Sequence, residues 1–321
     1  MAETLLSPGV LARENDQSFI TQQPVQVGAA IVGPTVKGPV EIPTIVTSYS
    51  DYQNRFGTTF ESGSDEFTFF TSITAYNYFQ NGGNTMLVTR VVSGSNNWDY
   101  ASTNISSSEG NKVAFTIEAL DKGIIFNNSG STSNGSQLIT GGSGSLYSGS
   151  ADNIRYEIAN SSSADGTFSL LVRQGNDNDN NKIVLESWTN LSLDPKADNY
   201  VSRVIGDQYY QYNKTENYIE ITGSFPNASR YIRVESVTSK TPNYFDNAEN
   251  AKEIYTGSIP AVGSGSAGGT FSGGVGTVIN STEDNNMYQF IGNGSNDVTQ
   301  GLIGDDYDNM LNLLSNQDDY Q

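Results

Sequence analysis

Apolar residues in this chain come in short bursts, and few bursts hold one period long enough to predict an element. Residues 25–32 (VQVGAAIV) read as a buried strand that Gly33-Pro34 ends. Residues 40–46 (VEIPTIV) read as a second strand, at an edge or irregular because Pro43 cannot donate to a ladder. A short helix is expected over 48–56, closed by Gly57. The clearest helical pattern covers 64–81, with Ser64 or Asp65 as cap, Asp65 and Glu66 at the positive end and Gly82-Gly83 as stop. Its apolar face would be Phe69, Phe70, Ile73, Tyr76 and Phe79. Residues 85–92 (TMLVTRVV) read as a strand. Arg90 in that run marks an edge strand or an ion pair.

Beyond residue 94 the texture changes. Ser, Asn and Gly dominate 93–112 and 127–153. Alternation predicts strands over 113–120, 154–159, 168–174, 182–188, 218–222 and 231–237. The run GNDNDNN at 175–181 is a hairpin loop between two of them. A short helix over 198–205 stops at Gly206, and 257–277 reads as a Gly/Ser-rich loop with little core material. An amphipathic helix over 305–314 places Tyr307, Met310, Leu311 and Leu314 on one side. The whole is an α+β, multidomain chain. Its expected parts are an arm (1–24), an α/β block (25–93), a polar β-rich region of one or two subdomains (94–300) and a return helix (301–321).

The arm, MAETLLSPGVLARENDQSFITQQP, stands apart. Its apolar pairs Leu5-Leu6, Val10-Leu11 and Phe19-Ile20 are separated by Ser7-Pro8-Gly9 and a polar run, so no helix lasts two turns. Such a segment frays unless it pairs with a sheet edge, here expected in a neighbouring subunit. Extended, it reaches roughly 75 Å at ~3.3 Å per residue.

Composition narrows the chemistry. The 321 residues contain no Cys and no His, which excludes disulfides, thiolate chemistry, imidazole bases and the commonest zinc ligand. Hydrophobic residues make up 36%, yet 18 Tyr and 14 Phe supply material for cores. The net charge of −19, from 35 acids and 16 bases, disfavours nucleic acid, and no base follows Lys252. It suits solubility in a salty setting or a basic partner. No apolar run approaches ~20 residues, so membrane insertion is not expected.

Three chemical motifs were weighed. The acidic run from Asp177 has Lys182 and Trp188 where a calcium EF-hand needs Gly and Glu, so it reads as a solvated turn. The Gly-rich stretches at 141–149 and 263–276 lack a phosphate-loop signature. Acid pairs could serve glycoside hydrolysis, but none is distinguished by its surroundings. No enzyme activity, cofactor or metal is expected.

Several stretches together carry a resemblance: LLSPGV, then GAAIVGPTVKGPVEIPTIVTSYSDYQNRFG, then YFQNGGNTMLVTRVV, then FSLLVRQGNDNDNNKIVLESWTNLSLDPKADNYVSRVIGD. In this order they resemble contractile tail sheath proteins of myovirus-type bacteriophages, notably the marine and cyanobacterial branch. The resemblance runs from residue 5 to about 240.

The resemblance implies a structural, non-enzymatic virion protein, made in the host cytoplasm and placed in the tail sheath. It would form stacked hexameric rings with copies of itself around the tail tube protein, with baseplate and tail terminator proteins as further partners and no direct nucleic-acid contact. Contraction would drive the tube through the host envelope during genome ejection. The arm residues Leu6, Ser7, Pro8, Gly9, Val10, Leu11, Phe19 and Ile20 would link subunits. Residues 25–93 would begin the conserved domain, and the polar region would be outward-facing insertions. That domain is expected to be incomplete here, the chain reading as an N-terminal fragment; a longer reading frame beyond Gln321 would support this. The alternatives are a polar β-rich adhesin or a tail-associated glycan depolymerase.

Overall fold

The computed structural model describes residues 28–62, 65–92, 98–110, 112–128, 137–138, 152–265, 269–274, 302 and 304–315. Its architecture is α+β, with several small sheets and few helices. The first unit begins with β1 (Ala29–Gly33), β2 (Thr44–Val46) and helix α1 (Tyr49–Phe56). The backbone N–H of Asp51 donates to the side chain of the N-cap Ser48 at 3.1 Å. At the other end the Gly57 N–H donates to the Gln53 carbonyl at 3.0 Å. Gly57 has φ +70, a left-handed conformation that glycine adopts without Cβ strain.

A hairpin of β3 (Thr59–Ser62) and β4 (Asp65–Thr68) follows, then α2 (Phe70–Gln80) and β5 (Met86–Arg90). β5 is the central strand of the first sheet. It runs parallel to β1 from Ala29↔Met86 to Gly33↔Arg90, and antiparallel to β2. Val46, Tyr52, Phe56, Ala75, Met86 and Val88 form the core between this sheet and its helices. Two expectations are corrected. Pro43 shortens the second strand to three residues, leaving Val40 only an isolated bridge to Arg90. Asp65 and Glu66, expected at the start of the long helix, lie in β4 instead, and Ser64 lies outside the described residues; α2 starts at Phe70 with no side-chain cap.

The facing of α2 is the larger correction. It buries Thr71, Ser72 and Ala75 and leaves Phe70, Ile73 and Tyr76 exposed. The reason is close approach. A Cβ on Gly33 of β1 would stand 2.5 Å from the Thr71 hydroxyl, and Ser72 shares a 2.9 Å hydrogen bond with the Tyr52 hydroxyl of α1. Only small side chains fit where the first turns of the helix meet β1 and α1, so Phe70, Ile73 and Tyr76 turn outward, while Phe69 before the helix is buried and Tyr78 and Phe79 near its end pack against the core.

The β-rich region contains β6 (Tyr100–Ser106), β7 (Val113–Lys122), the short β8 (Gln137–Leu138), β9 (Ile154–Ser162), β10 (Thr167–Gln174) and β11 (Val184–Ser192). Helix α3 (Val201–Ile205), the hairpin β12 (Tyr209–Asn213) and β13 (Tyr218–Thr222), β14 (Ile232–Val237) and α4 (Glu253–Thr256) follow. β8 adds a parallel strand to β3. Two antiparallel sheets, β14-β7-β6 and β11-β10-β9, share one core, with the Phe115 and Phe168 rings 5.3 Å apart. Val36, Phe69, Val92 and Trp98 from the first unit and its exit join that core. β6 lies in a stretch too polar to announce a strand, and β12 (YYQYN) is too short and lacks alternation to announce one. Residues 269–274 hold more core than their composition promised: Phe271 is fully buried, and backbone bonds tie Gly269 to Tyr156 and Ser272 to Ser102.

Helix α5 (Gly304–Ser315) packs Met310 and Leu313 against Val32, Val91, Tyr212 and Ile219. Leu311, expected inward, is 51% exposed. Phe115→Ala should cost about 3–5 kcal/mol in urea unfolding, as large core truncations do, whereas Ile73→Ala on α2 should change stability by less than about 0.5 kcal/mol. Equal costs would show that the outer side of α2 is packed.

Candidate functional site

The proposed linking residues Leu6, Ser7, Pro8, Gly9, Val10, Leu11, Phe19 and Ile20 all lie outside the described residues. The described chemistry concentrates in two buried charge clusters and in the sheet whose first strand, β1, follows the arm in sequence.

The first cluster surrounds Arg90, at the end of β5. This strand is central and Arg90 is fully buried, so the edge-strand reading is corrected. Its NH1 donates to the Gly38 carbonyl at 2.8 Å and to the Lys122 carbonyl at 3.4 Å; NH2 donates to the Val36 carbonyl at 3.4 Å. Its guanidinium lies 5.2 Å from the centre of the Trp98 ring. One side chain thus joins the β1–β5 sheet, the loop after β1 and the end of β7. In that loop Gly38 has φ +110, and a Cβ there would lie 2.5 Å from the Phe56 ring. Lys37 beside it pairs with Asp152 at 3.8 Å.

Burial pushes the Asp121 carboxyl up to about 6, against the pull of Arg90, Lys37 and the Gly38 N–H. Burial likewise lifts Glu118 to about 7, opposed by Arg233, which pairs with it and lies against the Tyr209 and Tyr100 rings at 4.6 and 5.5 Å. Both carboxyls bind a proton more readily folded than unfolded. Their contribution to stability is therefore greatest near pH 4 and falls as pH rises to about 7. Asp121→Asn should leave thermal stability near its wild-type value at pH 4 and raise it at pH 8, by on the order of 2 kcal/mol. A variant less stable at pH 8 would mean that attraction to Arg90 and Lys37 outweighs burial.

The second cluster lies beneath the acidic run at 177–181. Arg173 of β10 is fully buried and forks onto Asp177, Nε to Oδ2 at 2.6 Å and NH2 to Oδ1 at 3.0 Å. NH1 reaches Glu157 at 2.7 Å and Asp179 at 3.3 Å. Lys182 pairs with Glu157 at 2.7 Å, Arg155 with Asp177 at 3.4 Å, and the Ile183 N–H donates to Asp177 at 3.0 Å. Burial opposes the charge on Arg173, and bonds to Asp177, Asp179 and Glu157 more than offset this, holding its pKa above the usual value. The carboxylates that a calcium ion would use are thus taken by the chain's own cations. No group of three or more acids able to hold a metal occurs among the described residues. Sequence reasoning saw the acids and missed Arg173, whose only signal was a charge in the apolar run FSLLVRQ. Arg173→Met should cost about 3–5 kcal/mol in chemical unfolding, because buried carboxylates lose their counter-charge. A neutral result would show that water reaches the cluster.

The sheet β1-β5-β2 is the third feature. Among the described residues neither β1 nor β2 pairs with a strand beyond β5, so each offers an outer edge. The arm precedes β1 in sequence.

No protein-family model matches the chain, and no curated protein matches it. Among solved structures, it is similar to the sheath tail protein from Listeria innocua, at TM-score 0.30 and 10% identity over 66% of this chain and 35% of that one. It is also similar to the sheath tail protein from Desulfitobacterium hafniense, at TM-score 0.29 and 10% identity over 72% and 40%. The chain thus spans roughly two fifths or less of each relative's length.

Proposed function

We propose that this chain is a structural subunit, or the first part of one, of a contractile phage tail sheath. In this reading it polymerises as hexameric rings around the tail tube, in the virion, and takes part in the contraction that drives the tube through the host envelope. Baseplate and tail terminator proteins would be its further partners. The observation that carries the reading is the open-edged sheet β1-β5-β2, preceded in sequence by an arm with spaced apolar pairs. An edge strand offers unpaired N–H and C=O groups to an added strand, and an arm with few apolar residues of its own gains by supplying one.

The magnitudes fit a repeating assembly. Each backbone hydrogen bond gained on strand addition contributes about 1 kcal/mol net, and a fully buried Val10 or Leu11 side chain about 2 kcal/mol. One such link is modest; repeated through a lattice, it holds subunits together while ring contacts rearrange. In this reading the hairpin β10–β11 and α3 belong to the outward insertions, in keeping with the resemblance carried by 168–207.

Electron microscopy of the concentrated protein should reveal stacked rings or hollow tubes. Deleting residues 1–22 should leave the melting transition nearly unchanged and abolish these assemblies. Tubes formed by the deleted chain would overturn the role of the arm, and monomers at every concentration would overturn the assembly reading.

A further inference from the structure

The outer face of α2 reverses the usual order of a surface helix. It buries Thr71, Ser72 and Ala75, while Ile73 and Tyr76 are 44% and 45% exposed. Exposed Thr74 and Asn77 continue the face. The packing that turned the small residues inward explains why Ile73 and Tyr76 face outward, and among the described residues both remain more than two fifths exposed.

The charge around this face is as unusual as its polarity. From Thr68 to Thr89 the chain contains no Asp, Glu, Lys or Arg, in a protein of net charge −19. Among the described residues nine Lys and Arg side chains are held in ion pairs by carboxylates of the same chain. Pairing and burial take in about as many acids as bases, so the excess of acid in the net charge of −19 lies on the surface, and two copies repel at most approaches. An uncharged apolar face is where they can touch without bringing carboxylates together or stripping water from them. The face is also held in shape: the Tyr76 ring meets Tyr49 edge-on at 5.1 Å, and Tyr49 stacks on buried Tyr52 at 6.0 Å. A face already ordered loses little side-chain freedom on docking.

We infer that the outer face of α2, centred on Ile73 and Tyr76, is a contact at which a second copy of this chain docks. The inference rests on the reading that copies assemble, and it adds where they meet and how charge controls the meeting. A stable isolated dimer buries roughly 800 Å² per partner. An 11-residue helix about 16 Å long provides less, so this contact is one of several that each subunit makes. Because the opposing force is repulsion between like charges, salt strengthens the association until screening saturates, at a Debye length of a few Å.

The absence of Cys makes a direct test available. Thr74→Cys carries the single thiol of the full chain and takes acrylodan, a polarity-sensitive fluorophore, while sparing Ile73 and Tyr76. Sedimentation velocity over a concentration series, with NaCl increased until its effect levels off, reads association alongside the emission. The expected result is association that strengthens with salt and an emission that moves to the blue as copies join. Ile73→Asp should weaken association at least tenfold without changing the melting temperature, whereas Leu311→Asp on α5 should leave it unchanged. Association with an unshifted probe overturns the α2 contact alone. A blue emission already present in dilute monomer overturns it too, by showing that the chain covers this face itself. Association that weakens with salt overturns the charge argument, and a chain that never associates overturns both this inference and the assembly reading.

Discussion

Buried arginine ties this protein together. With no cysteine for disulfides, the chain places Arg90 and Arg173 at zero exposure and Arg233 nearly so. Each joins segments distant in sequence or holds acids that would otherwise repel. Arg90 fastens the first sheet to the loop after β1 and the end of β7; Arg173 gathers Glu157, Asp177 and Asp179; Arg233 links β14 to β7 through Glu118 and lies against Tyr209 of β12. The planar fork of arginine suits these roles, because several acceptors can be met in one geometry and its charge is not readily lost.

Among the described residues the buried arginines are matched by buried Glu41, Glu118, Glu157 and Asp177, so the excess of acid in the net charge of −19 lies on the exterior. Under the proposed self-assembly, association between copies would depend on places where charge is absent. The inverted face of α2 and the open edges of the first sheet are both in the unit that follows the arm. A small unit with open edges and an apolar outer helix fits a role fulfilled by neighbours, while the β-rich region buries its own core between two sheets.

Local signals were legible where they needed nothing distant. Ser48 and Gly57 bracket α1 because capping is a matter of one or two turns, and the 175–181 loop joins its two strands as alternation predicted. The misreadings came where tertiary contact decides. The pattern over 64–81 is apolar enough for one long helix, yet 65–68 pair with β3 and the helix turns its small side inward. Polar β6 and short β12 become strands because neighbouring strands accept their backbone bonds, a gain that side-chain alternation does not record. Arg173 looked like an interruption in a strand until the loop folded its acids over it.

By itself the sequence determined the class of chemistry and the style of fold. Lack of Cys and His, excess acid, scarce hydrophobic residues and spaced Gly, Ser and Asn follow from composition, and they point to short strands, polar turns and a chain without imidazole or thiol catalysis. Only the tertiary structure decided which face of α2 turns outward, that β5 is central, and that the acidic run closes over an arginine. Periodicity states that a helix has two unlike sides. Which side is buried depends on the space left by its neighbours, and here the space beside β1 and α1 admits Thr71, Ser72 and Ala75 but not Phe70, Ile73 or Tyr76.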